Sequence, residues 1–546
     1  MHQFWTDELA DRVEQRHGAP YCVSDWKTPS GHVHVGALRG VLLHDAAARA
    51  LRDRGHQVRY IFGFDDFDPM TTVPSSLDQR AYQPFLGRPL STVPAPDPQG
   101  QPNANVSPTS NYARCFADEF EGVYRTLGVD AETLRTTALY HEGFFDPAIQ
   151  LVLDHVAEVR GAYQSVLEAN RSEDRREQAV VAEYPLNVLC QQCGKIVTTA
   201  VIGWDGTTLT YHCPTDRRVA ASVAGCGYQG STSPFGGAAK LPWKVEWAAK
   251  WWRFAVDVEG AGKDHYTKGG SRDVAQAIFR RVFQPVRPPE ARHDSQLPED
   301  LFYEWLYIGG RKMSTSKGIG IFATDVAKLL PAELLRFLVV RPRPRTGVDF
   351  APTNEAIARL FDEYDRTLAA AIADPTNSSA ALMRIAGIET RELPQFVMRF
   401  SKVTQLVQLP HIDIGAVAAT EKGQALSEVE TYELTRRIDY ARQWVERDPD
   451  RLVIQPSLPD IELTDDQRHY LGALCDRIAT QTTWTGDELQ TVVHDVKNET
   501  GIEPKAAFQA IYRIFLNRDA GPQAGLFLAA LEHDFVVQRL KEANHA

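Results

Sequence analysis

YCVSDWKTPSGHVHVGALRG, residues Tyr21–Gly40, decides the fold. Tyr21–Val23 reads as a short strand, Ser24–Gly31 as a polar loop, and a helix begins near Gly36. Leu38, Val41, Leu42 and Ala46 recur at helical spacing, and Gly55 stops the run. A second strand, Val58–Phe64, ends on the acidic run Asp65-Asp66-Phe67-Asp68. Strand, loop, helix and strand in this order open a doubly wound parallel sheet, an α/β Rossmann-like fold. Ligands of such sheets bind outside the carboxyl ends of the strands, where both the loop and the acidic run fall.

Outward from this unit, residues 1–180 form the first half of a nucleotide-binding domain, with a Pro-rich insertion or lid at 74–110. Helical periodicity returns at Ile149, Val152, Leu153, Val156 and Val159. Residues 181–236 carry a cysteine module, and 237–351 resume the nucleotide fold. There Phe254, Val256 and Val258 alternate as a strand, Asp273–Phe283 reads as a helix and Leu301–Ile308 as another strand. Residues 352–546 are amphipathic helix almost throughout, broken by a loop at Asp374–Ser379. Several domains are expected of 546 residues. The charged first twenty residues contain no secretory apolar stretch, and no run of about 18 apolar residues predicts a membrane span. A cytoplasmic monomer is expected.

The net charge of −12 excludes a protein coated in basic surface, although local clusters can still bind phosphate. Two are present: Arg272, Arg280, Arg281, Arg287 and Arg292, then Arg336, Arg341, Arg343 and Arg345.

Three motifs carry chemistry. Gly31 and Gly36 let backbone approach a nucleotide at a helix start, and His34 can donate to a phosphate oxygen. His32 and His34 read equally as polar residues of a short strand or as a His-x-His metal pair. Lys312-Met-Ser-Thr-Ser-Lys317-Gly places two lysines with Ser314 and Ser316 on a glycine-flanked loop that can close on a triphosphate. Cys190-Gln-Gln-Cys193-Gly is half of a zinc knuckle, which Cys213 and Cys226 complete as four thiolates. The wide second spacing leaves His212 as an alternative ligand. Such a closed site orders structure rather than catalysing, and a reducing compartment disfavours disulfides.

Pro29–Arg39, Leu241–Trp251 (LPWKVEWAAKW), Gly262–Arg272 (GKDHYTKGGSR) and Lys312–Gly318 together resemble class I lysyl-tRNA synthetase, over most of the chain. The resemblance implies lysine activation by ATP with Mg²⁺, transfer to tRNA(Lys), and a helical anticodon-binding region after Pro352. By position, His34 and Gly36 match the HIGH element, and Lys312, Ser314 and Ser316 match KMSKS, with Lys317 near its second lysine. Gly262, Asp264 and His265 match the adenosine site, and Thr28, Trp243 and His265 match the lysine pocket. The chain departs from the family at Ala37, at Thr315 and at Asp25-Trp26, where a small residue and Gly are common.

An enclosed lysine ammonium must be paired, because its desolvation otherwise defeats binding. Asp25 and Asp66 are the first candidates, with Asp65, Asp68 and Asp264 behind them. The rival readings are a class I synthetase for another amino acid, a HIGH-type nucleotidyltransferase and an inactive RNA-binding paralogue. Trp444, Arg447, Trp484, Tyr512 and Arg513 are available to RNA bases.

Overall fold

The computed structural model describes residues 4–168, 183–215, 223–288, 296–309, 311–312, 322–350, 353–387, 394–410, 412–448 and 451–545. Ser314, Ser316, Lys317 and Arg292 lie outside them. The chain forms two units: Met1–Pro352 with Arg366–Glu389, and Thr353–Asp365 with Thr390–Ala546.

The first unit is built on five parallel strands: β1 (Tyr21–Lys27), β2 (Val58–Phe64), β3 (Glu132–Arg135), β4 (Val258–Glu259) and β5 (Glu299–Asp300). Their order is β5-β4-β1-β2-β3, so the winding reverses between β1 and β4. In an open α/β sheet this reversal leaves a crevice at the carboxyl ends. β1 runs four residues beyond the expected Val23, because Ser24–Lys27 pair in register with Ile61–Phe64.

Between β1 and β2 runs α1 (Leu38–Asp53), buried on nearly every side. Leu38, Val41, Leu42, Ala46 and Leu51 are in the core, each large aliphatic side chain contributing roughly 1.5–3 kcal/mol. Arg39 on α1 is also buried and donates to the carbonyls of Glu304, Pro344 and Thr346 at 2.7–3.0 Å. Burial lowers its pKa from the ordinary arginine range. Its guanidinium ties the first half of the sheet to the returning chain.

α2 (Tyr112–Thr126) buries Tyr112, Ala113 and Phe116 with Tyr82, Leu86 and Leu90 of the insertion, and α3 (Trp243–Phe254) leads into β4. The expected strand around Phe254–Val258 is therefore mostly a helix end. Phe254 is the last helical residue, Ala255 caps it at φ 47°, and Val258 alone of the three is in a strand. Phe254, Val256 and Val258 are buried together with the intervening Asp257, so their alternation in sequence reflects a buried turn rather than a two-sided strand. The expected Leu301–Ile308 strand is split: β5 stops at Asp300, and β6 (Leu306–Ile308) belongs to a second sheet with β7 (Arg311–Lys312) and β8 (Val348–Phe350). The helix expected at Asp273–Phe283 spans Ser271–Ile278 and widens over Phe279–Phe283, where the bonding shifts to π-type.

The second unit is helical, including Glu428–Arg447, Asp465–Ile478, Gly486–Thr500, Pro504–Leu516 and His533–His545. Three of these start on reciprocal capping boxes, Ser427 with Glu430, Thr464 with Gln467 and Thr485 with Glu488. Tyr470, Leu471, Val493, Ile511, Ile514, Phe515, Phe527 and Leu540 are buried in it. Trp444 and Tyr512 are buried as well, the Tyr512 hydroxyl donating to the Pro522 carbonyl, so neither presents a free ring to a base. Among the described residues no helix is long and apolar enough to cross a membrane.

Candidate active site

A cleft of about 490 Å³ opens at the reversal point. The carboxyl end of β1 supplies Asp25–Thr28, the end of β4 supplies Glu259 and Gly260, and the following turn supplies Gly262 and His265. α3 forms the wall. Trp243, Glu246, Trp247 and Lys250 stand at i, i+3, i+4 and i+7, one helical stripe, and all four line the cleft.

The stripe divides into an aromatic and a charged part. Trp243, Trp247 and His265 have ring centroids 5.6–6.0 Å apart. Trp243 is 46% exposed, an open apolar face at the mouth. Trp247 Nε1 donates to Glu259 Oε2 at 2.7 Å, as does Trp251 Nε1, and Arg272 lies 3.5 Å away. Burial lowers the His265 pKa, favouring the neutral imidazole.

Deeper in the cleft, Lys250 pairs with Asp65 and, at 2.9 Å, with Glu246. Lys240 pairs with Glu246 and, at 3.1 Å, with Asp68. The Thr28 hydroxyl donates to Asp68 at 2.7 Å, and the Tyr140 hydroxyl donates to Glu246 at 2.8 Å. Three carboxylates thus share two ammonium groups. Desolvation raises the Asp65 pKa to about 7 against the attraction of Lys250, whereas Lys240 and Lys250 hold Glu246 low despite its burial.

Trp26, where the resemblance implies Gly, is accommodated by a glycine of β2. It pairs across the strands with Gly63, where a Cβ would come within 2.0 Å of the indole. The ring lies on that bare backbone and carries the Lys250 ammonium 3.9 Å above it. Asp25, on the alternate position of β1, sits beside His44 at 3.6 Å. His44 Nε2 accepts from the Gly260 N–H at 2.9 Å, so its Nδ1 carries the proton and donates to the Gly40 carbonyl at 2.8 Å. That tautomer is uncharged. Burial raises the Asp25 pKa, against the opposing influence of His44, the Trp26 backbone and Lys27.

Not every expected residue faces the cleft. Asp66 is not in its lining; its carboxylate accepts from Thr137 N at 2.7 Å and from Thr136 Oγ1 at 3.2 Å, securing the helix Thr136–His141. Asp264 is exposed and outside the lining. Gly31, His34 and Gly36 carry the chain from the rim formed by Thr28 and Ser30 into α1. His32 is occupied by Glu119 at 2.8 Å. Phe322, four residues past the second signature, forms a bridge with His34, and Ala323 N donates to Val33 O at 2.9 Å. Two expected phosphate-cluster arginines are interior. Arg272 pairs with Glu259 and Asp300, and Arg336 with Asp45 at 2.5 Å. A long side chain with internal carboxylate partners is indistinguishable in sequence from a surface cation.

In the cysteine module the four thiols Cys190, Cys193, Cys213 and Cys226 lie within 4.8 Å of one another, and His212 is not in the group. Two of the sulfur separations are 3.7 and 3.9 Å. Tetrahedral zinc–thiolate bonds of ~2.3 Å require sulfurs about 3.8 Å apart, so the geometry fits zinc. The turn is closed by Gly194 N to Cys190 O at 2.8 Å.

Residues 3–391 match the family model described as tRNA synthetases class I (K). The chain belongs to that family. Residues 459–544 of this class I synthetase match a second model, described as anticodon binding domain. It is 30% identical to lysine–tRNA ligase 1 of Methanosarcina acetivorans, covering 100% of this chain and 98% of that one. Identity to the lysine–tRNA ligase of Thermoplasma volcanium is 31%, over 98% of each chain. For that of Archaeoglobus fulgidus it is 28%, over the full length of both. A glutamate tRNA ligase structure from Elizabethkingia meningosepticum aligns at 10% identity and a TM-score of 0.45, covering 97% of this chain and 100% of that one.

Sequence reasoning missed Glu246, Lys250, Lys240, Glu259 and Lys27. A signal existed for two of them, since a Trp-x-x-Glu-Trp-x-x-Lys stripe puts charge and aromatics on one helix face where an apolar stripe is usual. A further cavity of about 350 Å³ adjoins the cleft, sharing Thr28, Ser30, Asp68 and Trp243 and lined beyond them by Asn187, Ile196 and Val197 of the cysteine module.

Proposed function

We propose that this class I synthetase is a lysine–tRNA ligase. The observation that carries the reading is the acid-rich, aromatic-rimmed cleft at the sheet reversal, in a chain aligned end to end with lysine–tRNA ligases. One carboxylate oxygen of L-lysine attacks the α-phosphorus of ATP, the bond to pyrophosphate breaks, and lysyl-adenylate remains. The terminal ribose hydroxyl of tRNA(Lys) then attacks the carbonyl carbon, and AMP leaves with the mixed-anhydride oxygen. Neither step needs a covalent enzyme intermediate; positioning and charge stabilisation supply the rate.

In this reading the excess carboxylate of the Asp65–Glu246–Asp68 network pairs the side-chain ammonium, and Trp243, Trp247 and His265 cover the aliphatic stem. Asp25 and Thr28 border the same pocket, while Asp66 serves the scaffold. ATP, with Mg²⁺ on its triphosphate, lies over Gly31, His34 and Gly36, with Gly262, Asp264 and His265 toward its adenosine. Lys312, Ser314, Ser316 and Lys317 close on the leaving pyrophosphate. The cavity against the cysteine module admits the tRNA 3′ end, and the helical unit reads the anticodon. The four cysteines hold a structural zinc, which orders the module that forms that wall.

ATP–pyrophosphate exchange with each amino acid, with and without tRNA, tests the assignment. Exchange dependent on lysine is expected. Exchange with a different amino acid, or none under either condition, overturns it.

A further inference from the structure

Lys27 is unusual among the described cations of the cleft. It lines the cavity and is half-buried, yet among the described residues no ion pair or hydrogen bond engages its ammonium. The neighbouring lysines are all held: Lys250 by Asp65 and Glu246, Lys240 by Glu246 and Asp68, and Lys263 by Glu304 at 2.7 Å. Lys27 stands two residues after Asp25 on β1, so both side chains leave the strand on one face, about 7 Å apart at Cα. Asp25 is the complementary case, a cleft carboxylate whose histidine neighbour is fixed as the neutral tautomer.

Space is kept for that carboxylate. A Cβ on Gly40 of α1 would lie 3.0 Å from Asp25 Oδ2 and 2.7 Å from the Tyr303 hydroxyl. The cleft edge therefore presents one negative and one positive group at a fixed separation, neither matched by an ion-pair partner of opposite formal charge.

Resting on the lysine-ligase reading, we infer that Asp25 and Lys27 form a zwitterion clamp for the α-amino acid head group, Asp25 taking the α-ammonium and Lys27 the α-carboxylate. The spacing suits the ligand, whose own two charges are separated by a single carbon. The division of labour also follows. The head group is held at the sheet reversal, next to the loop that leads to His34, and the side chain extends toward α3 and its carboxylates. The Lys27 ammonium orients the attacking carboxylate and offsets negative charge that gathers as the carboxylate meets the α-phosphate. Burial lowers the Lys27 pKa and Asp25 opposes that shift, so an arriving carboxylate gains a partner that is poorly solvated without it.

Three ligands separate the contacts in equilibrium binding. L-lysine has both head charges, L-lysinol lacks the carboxylate, and 6-aminohexanoate lacks the α-ammonium. Lys27→Met should weaken L-lysine and 6-aminohexanoate about 10- to 100-fold and leave L-lysinol within about 2-fold. Lys27→Arg should restore part of the loss. Asp25→Asn should do the reverse, weakening L-lysine and L-lysinol while sparing 6-aminohexanoate. Equal weakening of all three ligands by either variant, or no weakening of any, overturns the clamp. Lys27→Gln, with a thermal melt beside it, keeps the test intact if the methionine variant misfolds. Should exchange identify another amino acid, the same comparison with that amino acid, its alcohol and its deamino analogue reads the clamp. The two claims therefore fail separately.

Discussion

The helical unit and the sheet unit bury charge on different terms. In the helical unit, Arg437 meets Asp365, Glu433 and the Met398 carbonyl, and Arg539 donates to the carbonyls of Ile514 and Gln455. Glu430 takes Lys422 and two backbone N–H groups, those of Ser427 and Phe396. Each set is closed by the protein itself. In the cleft, three carboxylates divide two lysines, and among the described residues Lys27 has no ion-pair partner and Asp25 only His44 beside it. Closed sets hold structure together, whereas an open set around a cavity is arranged for a ligand.

The largest expected break in this contrast comes from Glu246→Ala. It leaves Lys240 and Lys250 facing each other without their shared carboxylate, and removing one member of a buried ion pair costs about 3–5 kcal/mol. Denaturant unfolding should record that loss, and lysine binding should vanish with it. Arg437→Met in the helical unit should also destabilise, but the folded fraction should retain full lysine-dependent exchange. If Arg437→Met weakened lysine binding as Glu246→Ala does, the contrast would collapse.

Next in size is Lys312→Ala. Loss of a cation on the departing pyrophosphate should lower adenylate formation about 10²–10³-fold, with L-lysine binding nearly unchanged in calorimetry. A parallel loss of binding would make the loop part of the amino-acid pocket.

The pH dependence of lysine affinity sharpens the comparison further. Asp65 must be ionised to join an ammonium, and its pKa stands at about 7. Lysine affinity should therefore rise with pH and level off above that value, changing by at most ~10-fold per unit below it. For the free protein the sign is opposite. A carboxyl raised in the folded state stabilises the fold fully below its ordinary range near pH ~4, and that contribution is lost as pH climbs through the raised value. Bound lysine should recover it, so the thermal shift produced by lysine should grow from pH 5 to pH 8. The smallest effect belongs to a cap: Thr485→Ala removes one capping box and should cost ~0.5–2 kcal/mol in the helical unit without touching exchange.

Much of this contrast was legible in one respect only. Gly55 and the spacing of Leu38, Val41 and Leu42 specify local geometry, so the opening helix of the sheet unit could be read from residues that act within a few positions, although the expected loop from Ser24 is strand as far as Lys27. The capping boxes of the helical unit are local in the same sense. The pocket is not. Asp65 and Lys250 are 185 positions apart, and nothing near Lys250 in sequence distinguishes it from a solvated helix lysine. Within the acidic run, Asp65 and Asp68 reach the cleft while Asp66 turns to Thr137, a choice made by an irregular turn with no period to read. Lys27 escaped notice because a lysine in a loop-like stretch reads as surface until the strand is seen to extend through it. His34 and Lys312 were nominated by pattern alone, and the bridge between His34 and Phe322 is a long-range contact that no local pattern announces.

The claim beneath all of this is that the open carboxylate set selects an ammonium. Comparing kcat/KM in ATP–pyrophosphate exchange for L-lysine and for L-norleucine, which ends in a methyl where lysine carries its amine, addresses it directly. A site built around a polar group rejects the analogue lacking it by about 10⁴-fold, and a preference of that order for lysine is predicted. Near-equal values for the two amino acids would contradict the account.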